Sequence, residues 1–483
     1  MTALPNLTPA YAEIFLAIAG MALLMVGVFR KKDPVRGVTM LAILAFAVAA
    51  VLALSTNATG DGVGTVTFNG LFLVNDFTAF AKLLILLGAG LAMLLALPWA
   101  RNEGIARYEL PVIMIFAVLG MMMMVSANNL ISLYVGLELQ SLALYVLAAF
   151  NRGNLKATEA GVKYFVLGAL ASGLLLYGSS LVYGFSGTTS FAGLADALTG
   201  SQDNVGVIIG IVFVICGFAF KVSAVPFHMW TPDVYEGSPT PVTAFFSVAP
   251  KIAALSLFLR ILVGPFDDLI VQWQQVLTVI CVASMLWGAV AAIAQNNIKR
   301  LMAYSSIGHV GYALIGLVAG TQEGARGMIY YMLIYLFMNV GTFAVILSMR
   351  VKDRYVESID DLSGISKTNP AIALALTVLM FSMAGIPPLA GFFGKYFVFA
   401  AAVNAGLIPL AVIGVLSSVV GAYYYLRLIK IMYFDESADS FDRPDFSTAL
   451  VMGVCAFAVV VFIFLPEPLL AGADAAAAAL FQG

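Results

Sequence analysis

Long apolar runs alternate with short polar stretches along all 483 residues of the chain. A membrane-spanning helix needs about 20 apolar residues, and by that measure fourteen segments are predicted to cross a bilayer. They are 9–28, 37–55, 76–98, 109–126, 129–150, 157–184, 204–230, 241–263, 270–294, 301–319, 327–349, 369–401, 406–432 and 447–465. The predicted fold is all-α and polytopic, with no soluble domain. Between the second and third spans, residues 57–74 (NATGDGVGTVTFNGLFLV) read as a hairpin on the outer side. The first apolar run is long enough to span and lacks a basic lead-in, so it reads as a helix rather than a cleavable signal peptide.

Composition and charge sharpen this reading. Apolar residues make up 62% of the chain and charged residues only 10%, against about 25% charged in a soluble protein. The connecting segments fall alternately on two sides. One side, with the adjoining helix ends Arg427 and Lys430, carries seventeen of the 24 Lys and Arg; the other carries only Arg326. By the positive-inside rule the basic side is cytoplasmic, so both termini lie on the other side. Net charge is -2, which gives no footprint for nucleic acid.

The remaining six cations, Lys82, Lys163, Lys221, Lys251, Arg260 and Lys395, fall inside spans. A charge at mid-bilayer costs about 2.5–3.5 kcal/mol on insertion scales, so such groups are candidates for function. Glu138 in YVGLELQSLALYVL and Lys251 in SVAPKIAALSLF each lie some ten residues into a span, roughly 15 Å deep. Lys163 (AGVKYFVLG), Lys82 and Arg260 are closer to span ends, where a long side chain can bend to the interface.

Two spans are interrupted. In FAFKVSAVPFHMW, Pro226 lacks an amide hydrogen and clashes with the carbonyl of Val222. Broken backbone at membrane depth is tolerated only inside protein or along a wet cavity, so Lys221 is expected to face polar space, with His228 on the cytoplasmic half of the same broken helix. A proline kink kept for packing is the structural alternative. The device recurs in FSMAGIPPLAGFFGKYFVF, where Gly385, Pro387, Pro388 and Gly391 precede Lys395. These are the seventh and twelfth spans. Five is an odd number of crossings, so a repeated five-helix unit would be inserted upside down, and paired interrupted helices in inverted repeats point to a transport path. The chain divides accordingly into 1–108 (three helices), 109–263 (helices 4–8), 264–432 (helices 9–13) and 433–483 (last helix and tail). The tenth span adds a polar patch, MAYSSIGHVGY, with Ser305, Ser306 and His309; a histidine suits proton relay, or a hydrogen-bonded core.

Other chemistries find little support. Cys216, Cys281 and Cys455 are widely separated, with no CxxC pair, and no phosphate-binding glycine motif is present. Two histidines about eighty residues apart make a weak metal site. What remains is a series of titratable groups: Glu138, Lys163, Lys221, Lys251, His309 and Lys395. A lysine in apolar surroundings holds its proton less tightly, and a nearby carboxylate makes it hold more tightly, so relative motion of the two loads and unloads a proton without a cofactor.

VGLELQSLALYVL, KVSAVPFHMWTPDVYEGSPTPVTAFFSVAPK, LMAYSSIGHVGY and GIPPLAGFFGKYFVF together resemble the proton-pumping membrane subunits of bacterial respiratory complex I, a family similar to multisubunit sodium/proton antiporters. The likeness spans residues 110–430. Within the family it is to the subunit N branch. Lysine in the twelfth span disfavours subunit M, the short segment after the fourteenth span disfavours subunit L, and Lys163 fits subunit N. The resemblance implies two half-channels joined by a hydrophilic axis. In it Glu138 pairs with Lys221 and relays coupling to a neighbour, Lys251 is the central proton carrier, and Lys395 lies near the exit. His228 and His309 would lie on proton paths. It also implies the bacterial inner (cytoplasmic) membrane and a hetero-oligomer with subunit M and small subunits such as K and J. FMN, iron–sulfur clusters and quinone would sit in other subunits and no cofactor on this chain. A subunit of a sodium/proton antiporter, or a structural membrane scaffold, shares the buried charges and stands as the alternative.

Overall fold

The structure, a computed structural model, describes residues 5–30, 33–57, 64–462, 464 and 467–481. Helices dominate. In chain order the first are α1 (Tyr11–Phe29), α2 (Pro34–Asn57), α3 (Asp76–Asn102), α4 (Glu109–Val125), α5 (Leu130–Ala148) and α6 (Leu155–Ser186). Next come the short α7 (Phe191–Leu198), α8 (Val205–Val222), the short α9 (Thr231–Gly237) and α10 (Thr240–Val263). Then follow α11 (Ile270–Ile293), α12 (Ile298–Val318), α13 (Gln322–Ser348), the short α14 (Ile365–Thr368) and α15 (Pro370–Ala384). The chain ends with α16 (Ala390–Asn404), α17 (Ile408–Phe434), α18 (Phe446–Val461) and α19 (Glu467–Ala478). Among the described residues eleven helices are long and apolar enough to cross a membrane, and α4, α15 and α18 are shorter apolar helices. Each of the fourteen predicted segments therefore holds an apolar helix.

Local chemistry sets the helix starts. Asparagine side chains cap α3 (Asn75), α5 (Asn129), α6 (Asn154), α8 (Asn204) and α12 (Asn297), accepting backbone N–H groups that have no intrahelical partner. The described part of the predicted 57–74 hairpin pairs β1 (Thr65–Thr67) antiparallel with β2 (Phe72–Val74); residues 58–63 lie outside the described residues. Helix α10 is buried along its whole span, and α12 and α13 nearly so, which makes these three the centre of the protein.

Contacts in the first half recur 168 residues further on. The N–H of Leu130 donates to Thr189 O and that of Phe191 to Asn128 O; likewise Ile298 N–H donates to Glu357 O and Ile359 N–H to Asn296 O. A Cβ on Gly120 would lie 2.4 Å from Gln140 N and 2.8 Å from Gly136 O, and one on Gly288 would lie 2.6 Å from Gly308 N and 2.9 Å from Tyr304 O. Backbones approach this closely only where the side chain is a hydrogen.

The interrupted spans also match. Helix α8 ends on Ser223 with φ 66° and α15 on Gly385 with φ 83°. Ala224 N–H donates to Ala219 O, and Ile386 N–H to Phe381 O, the same C-terminal closure. A cis peptide precedes Pro226 and another precedes Pro388. The breaks differ from the predicted form in one respect. After α8, residues 223–230 are turns, and helix resumes only at α9, past the predicted end of the span. His228 therefore sits on the turn and not on a helical half, because Pro226 removes one ladder donor and the preceding left-handed Ser223 has already closed the helix.

Candidate functional site

The interrupted α8 places Lys221 in its last turn, buried to 6% exposure. Its ammonium donates to Ser141 Oγ on α5 at 2.6 Å and lies 5.8 Å from the Tyr145 ring centre. Glu138, half-buried and one helical turn before Ser141, accepts a hydrogen bond from Ser172 Oγ of α6, which also meets Tyr134 OH at 3.3 Å. Glu138 and Ser141 thus lie one turn apart on α5, and among the described residues no ion pair joins Glu138 to Lys221: Ser141 stands where the resemblance implied one. The carbonyl of Phe220, freed by the break, accepts Trp230 Nε1–H at 3.0 Å, and Ser284 Oγ takes Val225 N–H at 2.9 Å. The freed carbonyls are therefore not partners of Lys221.

Lys251, on the fully buried α10, is 1% exposed. It donates to Ser306 Oγ of α12, and that hydroxyl lies 2.6 Å from Tyr335 OH of α13. One turn along α12, His309 joins Tyr331 OH at 2.6 Å through Nδ1 and Tyr425 OH at 2.9 Å through Nε2. Tyr425 OH in turn meets Ser305 Oγ at 2.6 Å. Lys395 lies in the second turn of α16, after the second break, and donates to Met383 O at 3.0 Å, Ala384 O at 2.9 Å and Ser418 Oγ at 2.8 Å. An ammonium has three hydrogens to donate, so Lys395 is fully engaged, by two carbonyls at the break and by Ser418. Its nitrogen lies 4.9 Å from the Tyr312 ring centre, and Tyr312 OH meets Ser417 at 3.0 Å. Lys221 and Lys251 each have one hydrogen-bond partner among the described residues, leaving donors to spare.

The structure thus gathers Lys251, His309 and Lys395 along one buried file of hydroxyls and leaves four predicted residues off it: Glu138 and Lys221 belong to a separate group around Ser141, and Lys163 and His228 join neither. Lys163, 41% exposed at its side chain, pairs with Glu159 and Asp233, each at 2.7 Å. It belongs to a network on the basic side in which Arg300 bonds Asp233 at 2.7 Å and Glu236 at 3.0 Å, Lys156 bonds Glu236 at 2.9 Å, and Lys299 bonds Glu357 at 3.0 Å. Burial pushes the Asp233 carboxyl up, but hydrogen bonds from Lys163 and Arg300 outweigh it and hold Asp233 below the ordinary carboxylate value. His228 is partly exposed and packs edge-on against Trp287 with ring centres 6.1 Å apart.

Two cations expected to bend to the interface are instead buried. Lys82 pairs with Glu13 of α1 at 2.7 Å. Arg260 donates to Val125 O and Asn128 Oδ1, both at 2.9 Å, so it closes the end of α4. Sequence reasoning passed over Glu13 and the tyrosines 312, 331, 335 and 425. The available signal was phenolic hydroxyls inside spans, because a buried tyrosine hydroxyl finds a partner.

A file of buried lysines, hydroxyls and one histidine between two interrupted spans defines a membrane protein of the ion-translocating class. Residues 127–421 match the NADH:quinone oxidoreductase/Mrp antiporter transmembrane family. NADH-quinone oxidoreductase subunit N of Paramagnetospirillum magneticum is 59% identical over 99% of this chain and 98% of its own length. The subunit N of Rhodospirillum rubrum is 61% identical over 98% of this chain and 97% of its own. A chain of respiratory complex I from Thermus thermophilus superposes with a TM-score of 0.81 at 32% identity, covering 95% of this chain and 98% of that one. The chain belongs to the NADH-quinone oxidoreductase subunit N family.

Proposed function

We propose that this chain moves protons across the bacterial inner membrane as a subunit of the NADH–quinone oxidoreductase complex, driven by quinone reduction in other subunits. The observation that carries this reading is the buried file itself. Lys251, Ser306 and Tyr335 form one hydrogen-bonded group, His309 with Tyr331, Tyr425 and Ser305 a second, and Lys395 with Ser418 beside Tyr312 a third. Proton-carrying groups lie at each station, and sidechain rotation or water closes the intervals. Lys251, with donors to spare, suits the central carrier; Lys395, held by released carbonyls, suits the far half-channel. Glu138 and Lys221, the latter bound to Ser141 one turn along α5 from Glu138, suit the relay to a neighbouring subunit. Lys163 is assigned to the basic-side mouth, and His228 to the edge of the first half-channel.

The contacts that recur at an interval of 168 residues, and the matched breaks, support two inverted five-helix units, 109–263 and 264–432, within fourteen crossings. The basic side is then cytoplasmic and both termini periplasmic. Subunit M and small subunits such as K and J are the proposed neighbours, with FMN, iron–sulfur clusters and quinone on other chains. Moving a proton against ~150 mV requires about 3.5 kcal/mol, which a redox partner can supply. An antiporter role accounts less well for relatives that are full-length subunit N chains.

Replacing Lys251 by Ala in the assembled complex tests the assignment. Electron transfer to quinone is expected to persist in part while protons pumped per electron fall. An unchanged proton-to-electron ratio removes Lys251 from the path.

A further inference from the structure

At the basic-side ends of α4, α5 and α6 a lateral cleft of 710 Å³ opens between the helices. Its walls are apolar: Ile113 of α4, Val146 of α5, and Val162 and Phe165 of α6 line it. The last three are about half exposed, so no described part of this chain covers them. Close contact of α5 and α6 at Ala149 and Gly161, where a Cβ on Gly161 would lie 2.5 Å from Ala149 Cβ, closes one side.

Charged groups also line the cleft. Arg107 precedes α4 and Arg152 lies in the loop between α5 and α6; both line the cleft, as does Glu109 in the first turn of α4. Neither arginine forms an ion pair among the described residues. The contrast with their neighbours is sharp, since Arg101, Lys156, Lys163, Lys299 and Arg300 on the same side are all paired with carboxylates. Two guanidiniums against one carboxylate leave the mouth cationic, and planar guanidinium matches phosphate oxygens two at a time.

We infer that this cleft binds an anionic glycerophospholipid, its phosphate held between Arg107 and Arg152 and one acyl chain laid along Ile113, Val146 and Phe165. A soluble anion would leave the apolar walls unused, and a helix of a neighbouring subunit would leave the guanidiniums without an acceptor. Basic pockets between helices on the cytoplasmic side are suited to such headgroups. The cleft also touches the proton machinery, because Tyr145 lines it and the same ring lies 5.8 Å from the Lys221 ammonium. The inference rests on the proposed membrane orientation and is independent of pumping.

The test uses the purified, assembled complex in phosphatidylcholine nanodiscs doped with phosphatidylglycerol carrying a photoreactive acyl chain. Cross-links are expected on the peptides that hold Ile113 and Val162–Phe165. Labelling is expected to fall on the order of tenfold in Arg107→Gln/Arg152→Gln, and also in Val162→Trp, which fills the cleft and leaves the charge intact. A photoreactive phosphatidylcholine is expected to label weakly. Equal labelling by the two lipids, unchanged labelling in both variants, or no labelling in the wild-type complex because a partner helix occupies the cleft, each overturns the site. None of these readouts depends on proton translocation, so they fail separately from the pumping assignment.

Discussion

The ammonium of Lys221 donates to the hydroxyl of Ser141 at 2.6 Å, one helical turn beyond Glu138 on α5. A serine thus stands between a buried cation and the carboxylate closest to it along the helix. Hydrogen bonds to charged groups contribute about 1.5–3 kcal/mol. Ser141→Ala is therefore expected to lower the initial pumping rate of the assembled complex about tenfold, with NADH oxidation by an artificial acceptor unchanged. Ser141→Thr, which keeps the hydroxyl, should recover most of it. Fluorescence quenching in inverted vesicles reads the rate, and wild-type quenching in the alanine variant would show Ser141 to be packing alone.

His309 joins two phenols from different helices, α13 and α17, through its two ring nitrogens. Its removal in His309→Phe leaves both hydroxyls buried without that partner, at about 1–3 kcal/mol each. Proton pumping is expected to drop strongly in that variant, and Ser417→Ala, which loses the Tyr312 contact and a hydrogen bond to Gly414 O of its own helix, is expected to pump close to wild type. Comparable losses in the two variants would mean that the file is not routed through His309.

Gly391 is the second residue of α16, just after the second break, and a Cβ there would lie 1.9 Å from Ser382 O. Backbone cannot yield as a flexible side chain does, so Gly391→Ala is expected to cost at least the 1–3 kcal/mol typical of overpacking. Yield of assembled complex and its thermal dissociation midpoint measure this. A normal midpoint would show that the α15–α16 junction is free to move apart.

Glu13 and Lys82 form an ion pair at 2.7 Å with side chains 6% and 2% exposed. Removing one partner strands the other, at about 3–5 kcal/mol, and replacing both by apolar residues of similar size is often neutral. Glu13→Leu and Lys82→Met are each expected to lower the dissociation midpoint, and the double variant to regain most of the loss. Additive losses would show that the two residues act through other contacts.

The sequence by itself determined the helical, membrane-spanning class, the placement of the apolar helices and the two interruptions. These follow from local physics: about 20 apolar residues match the bilayer, asparagines cap, and Pro226 and Pro388 forbid a continuous ladder. It also singled out Lys251, whose depth made a solitary charge costly, and His309, through the polar patch in its span. The same depth argument misjudged Lys82, since Glu13 is a sequence-distant partner that cancels the need to reach water.

Only the tertiary structure decided which groups meet. Lys221 precedes its break and Lys395 follows the other, so two similar motifs give one lysine a serine and the other two released carbonyls. Lys163 found Asp233 across a gap of seventy residues and left the file, and four tyrosines from α12, α13 and α17 entered it. Spacing along a chain fixes the depth and the face of a side chain. Its partners depend on how helices cross, and that is set by small residues such as Gly120 and Gly288, where backbones touch.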